Sequence, residues 1–360
     1  MERSKNKCFL LFCLCFMALA LACWLHSPRA ESLAERRKLA QRPAFSWNAL
    51  ESGRFSSDFE RYSQDQFPLR ESFRSLKALF STKILGRSDN NRIFSSQGYC
   101  AELNYPADLP SARHAASRFS AVYNRYLSGS DRVFFSVIPD KGFFLEGMPK
   151  MDYAAFLQEL RAGMPFAQYL DLFPALDLDC YYRTDTHWRQ EKLEPAARLL
   201  AQGMGLELRQ AYTAREAIPD FLGVYAGQSA LPLEGEPLCY VTSPAIEGAL
   251  VTDLENGKPM GVYDFDALQG RDPYEFYLSG SLSLLTMRNP GALTDRRLIL
   301  FRDSFGSAIA PYLLECYSEV TLVDIRYIPS DRLDTVLDFE NADVLFLYST
   351  LVLNNSQTLK

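Results

Sequence analysis

The stretch LILFRDSFGS, residues 298–307, decides the fold that the sequence predicts. Its first half is a short apolar run typical of a buried strand, and a helix is expected from about residue 305. Ser304 therefore stands at a junction of strand and helix, with Gly306 close behind it. A serine in that place is often an N-cap residue. The alternative is a nucleophile, because its own N–H and those that follow would face the positive end of the helix dipole.

The same alternation continues through the C-terminal third of the chain. Strands and helices are predicted in turn, at 297–301, 305–317, 319–325, 331–340 and 343–349. The run VFFSVI, residues 133–138, predicts a further buried strand. Continuous apolar strands that alternate with helices predict an α/β fold with a parallel sheet covered on both faces. In such sheets, active sites form at the carboxyl ends of the strands.

The region before this alternation is predicted to be mainly helical, with one irregular insertion. Apolar residues at spacings of three and four predict helices after Asp65 and over 110–128, 151–161 and 190–202. Residues 206–290 are predicted to form an irregular β-rich insertion, since glycine, proline and short alternating runs are frequent in its later part. Within it, Asn256 and Gly257 form a favourable hairpin turn.

Composition and charge exclude some functional classes. The 360 residues are 48% hydrophobic and 23% charged, which is typical of a globular protein. Three of the 38 basic and one of the 44 acidic residues lie before residue 28, so the rest carries a net charge of −8. An acidic body argues against nucleic-acid binding and against a folded domain that lies on anionic lipid.

The N-terminus predicts export. Residues 8–25 are uncharged and mostly apolar, and Arg3, Lys5 and Lys7 precede them. Such a run is just long enough to cross a bilayer as a helix, and the basic flank is typical of an export signal. We expect an uncleaved anchor over 1–27, a stalk over 28–54 and an extracytoplasmic domain over 55–360. A cleaved leader remains an alternative, with secretion of the domain.

The cysteines of the body do not predict a zinc site. Four of the eight lie far apart with no CxxC spacing, at Cys100, Cys180, Cys239 and Cys316. In an exported body they could form up to two disulfides, and the alternative is isolated buried thiols. A weaker hypothesis makes Asp185, His187 and Cys180 metal ligands, although three histidines in the whole chain argue against it.

His187 is the strongest candidate for a general base. It lies in YYRTDTHW, residues 181–188, whereas His114 sits in a predicted amphipathic helix and His26 at the end of the apolar run. In an extended segment, Asp185 and His187 would share a face. A carboxylate beside an imidazole can hold its tautomer and stabilise its charged form. The alternative is a structural Asp–His pair.

Several ordered blocks of the sequence resemble the DHHW family. They are FSSDFERYSQDQFPLRESF (55–73), YYRTDTHW (181–188), RDPYEFYLSGS (271–281), LILFRDSFGSAIAPYL (298–313) and DVLFLYSTLVLNNS (343–356). The resemblance implies a three-layer α/β/α sandwich of the SGNH-hydrolase type, related to alginate O-acetylation proteins. It further implies a triad with Ser304 as nucleophile, His187 as base and Asp185 as the residue that orients the base.

The sequence departs from the family pattern at three places. Thr186 replaces the second histidine of the family name, and Arg302 replaces the glycine of the usual Gly-Asp-Ser. Ser281 follows Gly280 where relatives carry asparagine, a common oxyanion donor. The oxyanion donors therefore stay open, with Gly280 and Asn289 as weak candidates.

Further substrate contacts are weaker predictions. Lys141 could neutralise an oxyanion or be a solvated surface lysine, and Arg183 could bind a carboxylate or form an ion pair. Three aromatic residues near the predicted base could form a platform for sugar stacking or belong to the core, namely Tyr181, Tyr182 and Trp188.

The export signal and the family resemblance together imply a serine acyl esterase or O-acetyltransferase that acts outside the cytoplasm on a cell-envelope or exported polysaccharide. It would need no metal, nucleotide or other cofactor. The resemblance implies a multispanning membrane acyltransferase that supplies acetyl groups. The alternative is a catalytically weak polysaccharide-binding or scaffold protein of an envelope export complex.

Overall fold

The computed structural model describes residues 2–25 and 27–360, and the chain divides into two compact units. The first unit comprises residues up to 91 together with 226–232, and the second comprises 92–225 and 233–360. The elements of the first unit are α1 (Glu2–Leu25), β1 (Glu31–Ser32), β2 (Arg37–Lys38), α2 (Trp47–Glu51), α3 (Arg54–Asp65), α4 (Arg70–Leu79), a π-helical turn at Phe80–Ile84, and β3 (Asp89–Asn90).

The predicted membrane anchor gains no support from the structure. Among the described residues, no helix is both long enough and apolar enough to cross a membrane. Met1 and His26, and some side chains of α1, lie outside the described part of the chain.

The second unit contains most of the regular structure. Its first elements are β4 (Ile93–Ser96), β5 (Tyr99–Glu102), α5 (Leu109–Val122), β6 (Val133–Ile138), α6 (Tyr153–Gly163), β7 (Gln168–Tyr169), α7 (Glu194–Gly203), β8 (Thr213–Phe221) and the start of α8 (Val224–Ser229). The remaining elements are β9 (Glu236–Thr242), α9 (Pro244–Glu247), β10 (Leu250–Asp253), β11 (Lys258–Met260), β12 (Leu284–Arg288), β13 (Arg297–Arg302), α10 (Gly306–Leu313), β14 (Glu319–Val323), β15 (Ala342–Ser349) and α11 (Thr350–Leu353).

A mostly parallel sheet of eight strands forms the centre of this unit. Its order is β11-β10-β12-β14-β13-β15-β6-β7. The five strands from β14 to β7 run parallel, whereas β12, β10 and β11 each pair antiparallel with their neighbours. The prediction of an all-parallel sheet is therefore wrong at one end. The added strands come from the predicted insertion, where the Asn256–Gly257 turn connects β10 to β11 as a hairpin, which imposes antiparallel pairing.

Helices cover both faces of the sheet, because alternate residues of each strand point to opposite sides. On β13, Leu298 and Leu300 pack in the hydrophobic cluster that contains α7 and α10. Ile299 and Phe301 pack in the cluster that contains α5 and α6. The result is a three-layer α/β/α arrangement, as predicted.

One predicted helix is largely absent. Between β14 and β15, the segment near 331–340 forms only a 3-10 helix at Ser330–Thr335. Aspartate, threonine and valine, which have low helix propensity, are frequent there, so propensity does not support the apolar spacing. The four cysteines of the body are free thiols, and three of them are buried.

Candidate active site

Ser304 lies at the carboxyl edge of the sheet, just beyond β13. Its neighbour Asp303 holds the turn in place: Asp303 Oδ1 accepts the Phe305 N–H at 3.0 Å, and Oδ2 accepts the Ser349 N–H at 2.7 Å. The Ser304 hydroxyl is left for a different partner. The half-buried Ser304 Oγ lies 2.8 Å from His187 Nε2.

The imidazole of His187 connects Ser304 to a buried carboxylate. His187 Nδ1 lies 2.6 Å from Asp185 Oδ1, and Asp185 is fully buried. Because an ionised carboxylate only accepts hydrogen bonds, this contact fixes the tautomer with the proton on Nδ1 and leaves Nε2 free to accept the Ser304 O–H. Two segments more than a hundred residues apart thus form a continuous chain from hydroxyl to carboxylate. The roles of its members in catalysis stay predictions.

Asp185 is fixed by a tight turn and by the segment after β8. The turn is closed by a bridge between Tyr181 and Trp188, so it is not the simple extended segment expected from the sequence. Asp185 Oδ1 also accepts the His187 N–H at 3.1 Å, and Oδ2 accepts the Val224 N–H at 2.8 Å. These backbone donors hold the carboxylate in the position that orients the ring.

Lys141 supports the turn that carries Asp185 and His187 through hydrogen bonds to backbone carbonyls. Its ammonium is buried and donates to the carbonyls of Cys100 and Tyr182 at 2.6 Å and of Asp185 at 2.7 Å. Burial lowers the pKa of Lys141 to about 8. Both sequence-based hypotheses for this residue are therefore wrong, since its donors are committed to carbonyls and it is neither solvated nor free for an oxyanion.

Two contacts that the sequence did not reveal position the His187 segment. The Tyr274 ring stacks on the His187 ring at 3.8 Å between centroids and 7° between planes. Trp188 Nε1 donates to the Phe305 carbonyl at 3.0 Å, which joins the base segment to the turn that carries Ser304. Tyr274 lies within one of the family-like blocks, so a signal existed, but nothing in the pattern distinguished it from its aromatic neighbours.

The backbone donors after Ser304 are largely used within the turn. The N–H groups of Phe305 and Gly306 are donated to Asp303, and that of Ser307 to the Ser304 carbonyl. The expectation that several N–H groups of this turn face the substrate is therefore wrong. The Ser304 N–H is the remaining backbone donor of the turn for an oxyanion, since no acceptor for it is found among the described residues.

Neither predicted auxiliary donor is available to the site. The Gly280 N–H is donated to Tyr277 O at 3.2 Å. Asn289 follows β12, which runs antiparallel to β14, so it lies at the amino edge, opposite Ser304. There Asn289 Nδ2 donates to the Leu314 carbonyl at 3.2 Å. The direction of β12 could not be read from the sequence.

The two arginines near the site are engaged by the protein. The Arg183 N–H donates to Glu236 Oε1 at 2.6 Å and its guanidinium to Gly235 O at 3.1 Å, while its side chain remains partly exposed. Arg302 is buried, and its guanidinium donates to Leu282 O at 3.2 Å. The Arg302 stem also fills the space beside Gly306, where a Cβ would lie 2.5 Å from Arg302 Cβ.

The predicted sugar platform is part of the core. Tyr181, Tyr182 and Trp188 are each fully buried, so their rings cannot stack on a sugar. The metal hypothesis also lacks support: in the part of the chain that the structure describes, no three His, Cys, Asp or Glu side chains are grouped to hold a metal ion. The Cys180 thiol is directed at the Lys192 carbonyl, at 3.9 Å.

Comparison with solved structures identifies the architecture. A DHHW family protein from Eubacterium siraeum superposes with a TM-score of 0.58 at 18% identity, over 75% of this chain and 95% of that one. The chain has the fold of a DHHW protein. The resemblance seen in the sequence blocks is confirmed at the level of the fold.

Other solved structures are also similar to the chain. PatB1 of Bacillus cereus, in a structure with a sulfonyl adduct, gives a TM-score of 0.57 at 17% identity, over 72% of this chain and 95% of that one. The O-acetyltransferase domain of Pseudomonas putida AlgJ gives a TM-score of 0.44 at 12% identity, over 72% of this chain and 90% of that one. Neither the protein-family models nor the curated proteins include a match to the chain.

Proposed function

We propose that this protein is a serine acyl esterase or O-acetyltransferase that acts on a glycan. The observation that carries the proposal is the chain of two hydrogen bonds, 2.8 Å from Ser304 Oγ to His187 Nε2 and 2.6 Å from His187 Nδ1 to Asp185 Oδ1. Both distances lie within the range that proton transfer to a general base requires. The family resemblance supports acyl transfer as the reaction class.

In the proposed reaction, Ser304 Oγ attacks the carbonyl carbon of an acyl ester while His187 Nε2 takes the hydroxyl proton. Asp185 stabilises the imidazolium that forms. The tetrahedral oxyanion faces the Ser304 N–H. Collapse breaks the bond to the leaving alcohol, which receives the proton from His187, and leaves an acyl group on Ser304. A sugar hydroxyl or water, deprotonated by His187, then attacks the acyl-serine and restores the free serine.

The location and the donor belong to the proposal as well. An extracytoplasmic location rests on the apolar N-terminal residues and their basic flank. A membrane acyltransferase as supplier of acetyl groups rests on the family resemblance alone. The acyl-serine step needs no cofactor, because the ester itself provides the acyl group.

A second candidate function is glycan binding or scaffolding with weak catalysis. It is favoured by the use of the Phe305, Gly306 and Ser307 N–H groups inside the turn, which leaves few donors for an oxyanion. Removal of a single oxyanion donor costs roughly 10²–10³ in turnover in a well-studied protease.

Covalent labelling separates the two candidates. We expect a fluorophosphonate, and a sulfonyl fluoride as suggested by the PatB1 adduct, to label the wild-type protein and not Ser304→Ala, because only an activated serine attacks such probes. Ser307→Ala is the matched control, since Ser307 is buried three residues further on and should leave labelling intact. Equal labelling of wild type and Ser304→Ala, or no labelling of either, contradicts the enzyme proposal.

A further inference from the structure

A cleft opens at the same edge of the sheet as Ser304. It measures about 570 Å³, which is within the usual range of ligand sites. It lies around the β10–β11 turn and the segment before β12. Because β10 runs in the same direction as β14 and β13, its carboxyl end lies at the carboxyl edge. Three strand spacings, roughly 14 Å, separate β10 from the strand that leads to Ser304.

The wall of this cleft is hydrogen-bonded to β13, the strand that leads to Ser304. Its lining includes Ser279 and Leu282. The carbonyls of Gly280 and Leu282 accept hydrogen bonds from the buried Arg302, two residues before Ser304. A long ligand that occupies the cleft would therefore be held in a fixed relation to the hydroxyl of Ser304.

An exposed aromatic ring lines the cleft. Phe265 is 55% exposed, yet its ring is held by edge contacts with Tyr240 at 5.9 Å and 88° and with Phe276 at 5.2 Å and 81°. The ring thus combines a fixed orientation with an accessible surface. Those are the properties that sugar stacking requires, because the apolar C–H face of a pyranose lies flat on an aromatic ring. The aromatic rings of Tyr181, Tyr182 and Trp188 have no accessible surface, because they are fully buried.

The charges of the cleft restrict what it can bind. The lining includes three carboxylates, those of Asp253, Asp264 and Asp266, and one ammonium, that of Lys258. Asp253 is buried and Asp264 accepts the Ser279 hydroxyl at 2.9 Å, whereas Asp266 is exposed. A negative cleft disfavours a polyuronate, since like charges repel, and favours sugar hydroxyls or amino groups as hydrogen-bond donors.

We propose that this cleft is a distal subsite for a glycan without carboxylates, with Phe265 as its stacking platform. This inference rests on the proposed function, because the subsite would hold a polymeric acceptor that extends from Ser304 to the cleft. Binding itself does not depend on the reactivity of Ser304.

Calorimetric titration with three defined hexamers tests the proposal on the full chain. We expect N-acetylglucosamine and glucosamine hexamers to bind and a galacturonate hexamer not to bind. Phe265→Ala should weaken binding of both ligands at least tenfold, and Phe265→Trp should restore it. Asp266→Asn should weaken the glucosamine hexamer more than threefold and leave the neutral hexamer within twofold.

Two controls keep the test decisive. Leu293→Ala removes a fully exposed apolar side chain in the loop between β12 and β13, at the opposite edge, and should leave affinity unchanged. Ser304→Ala should bind both aminosugar hexamers with the affinity of the wild type. The two proposals can therefore fail separately: if Ser304 is not labelled by the covalent probes, the proposed function is contradicted while the binding result stands. The subsite proposal is wrong if either aminosugar hexamer fails to bind. It is also wrong if the galacturonate hexamer binds as tightly as they do or more tightly, or if folded Phe265→Ala binds them as tightly as the wild type does.

Discussion

Asp185 is the residue on which the orientation of the His187 ring depends. Its carboxylate accepts the ring N–H and two backbone N–H groups, so both oxygens are occupied. We expect Asp185→Asn to lower kcat for p-nitrophenyl acetate roughly 10²–10⁴-fold with little change in KM. The amide can donate to Nδ1, which favours the tautomer that carries the proton on Nε2, where it cannot accept the Ser304 proton.

The control for this variant is Asp179→Asn, an exposed residue in a short 3-10 helix six residues earlier, where the carboxylate pairs with Lys192 and Arg189. That change should leave kcat unaltered. A kcat within threefold of wild type in Asp185→Asn would mean that Asp185 does not orient the base.

Lys141 holds the Asp185 turn through backbone carbonyls. Lys141→Met would leave the carbonyls of Cys100, Tyr182 and Asp185 buried without their donor. Since an unsatisfied buried polar group costs about 1–3 kcal/mol, we expect the free energy of unfolding to fall by about 3 kcal/mol or more, as measured by urea titration. Lys150→Met, which removes an exposed ammonium from a single carbonyl, should change it by no more than about 0.5 kcal/mol.

Stability should also depend on pH through Lys141. Burial lowers its pKa from 10.5 to about 8 in the folded protein. Between these values the unfolded chain holds one more proton than the folded chain, so the free energy of unfolding rises with pH there. The rise amounts to on the order of 3 kcal/mol across the window. Urea titrations from pH 7.5 to 10.5 should show this slope in wild type and its loss in Lys141→Met; identical slopes would contradict it.

Single residues differ in how far the sequence predicted them. Asp185, His187 and Ser304 could be proposed because their chemical types and their places beside turns suggest a reaction. The structural task of Lys141 could not be proposed, since its acceptors come from three separate backbone positions that only the fold brings together. The same holds for Tyr274 on the His187 ring.

At the scale of elements, the segment that leads from β8 into α8 packs against the turn that carries Asp185 and His187. Gly223 lies so close to it that a Cβ would be 2.4 Å from the Asp185 Cα and 2.3 Å from its Cβ. Gly223→Ala should therefore displace the turn, lower the Tm by several degrees and reduce kcat/KM at least tenfold. Gly291→Ala meets its nearest atom at 3.5 Å and serves as the control. Equal Tm values for the two variants would contradict the close approach.

The regular elements of the sandwich were largely predictable. Continuous apolar runs identified β6, β13, β14 and β15 within two residues, because strands that are buried on both faces are mostly apolar. The insertion was harder: its strands are short and alternate irregularly, so their pairing with β14 and their direction depend on tertiary contacts.

At the scale of the whole sheet, function should be confined to one edge. Ser304 and the cleft lie at the carboxyl edge, whereas Asn289 lies at the amino edge. We expect Asn289→Ala to lower the free energy of unfolding by about 1 kcal/mol through loss of its bonds to Leu314 and Gly291, with kcat/KM unchanged. A tenfold fall in kcat/KM at unchanged stability would return Asn289 to the candidate oxyanion donors.

The indole of Trp188 gives the chain a built-in optical reporter. Of the three tryptophans, it is the one that lies between residues 92 and 360. Its indole N–H donates to the Phe305 carbonyl and so joins the turn that carries His187 to the turn that carries Ser304. In a variant that carries Trp24→Phe and Trp47→Phe, excitation at the red edge of protein absorbance would therefore follow the docking of these two segments, free of the tyrosine background. Separation of the segments would hydrate this ring and shift its emission to longer wavelength, so assembly of the site could be timed during refolding without an added label.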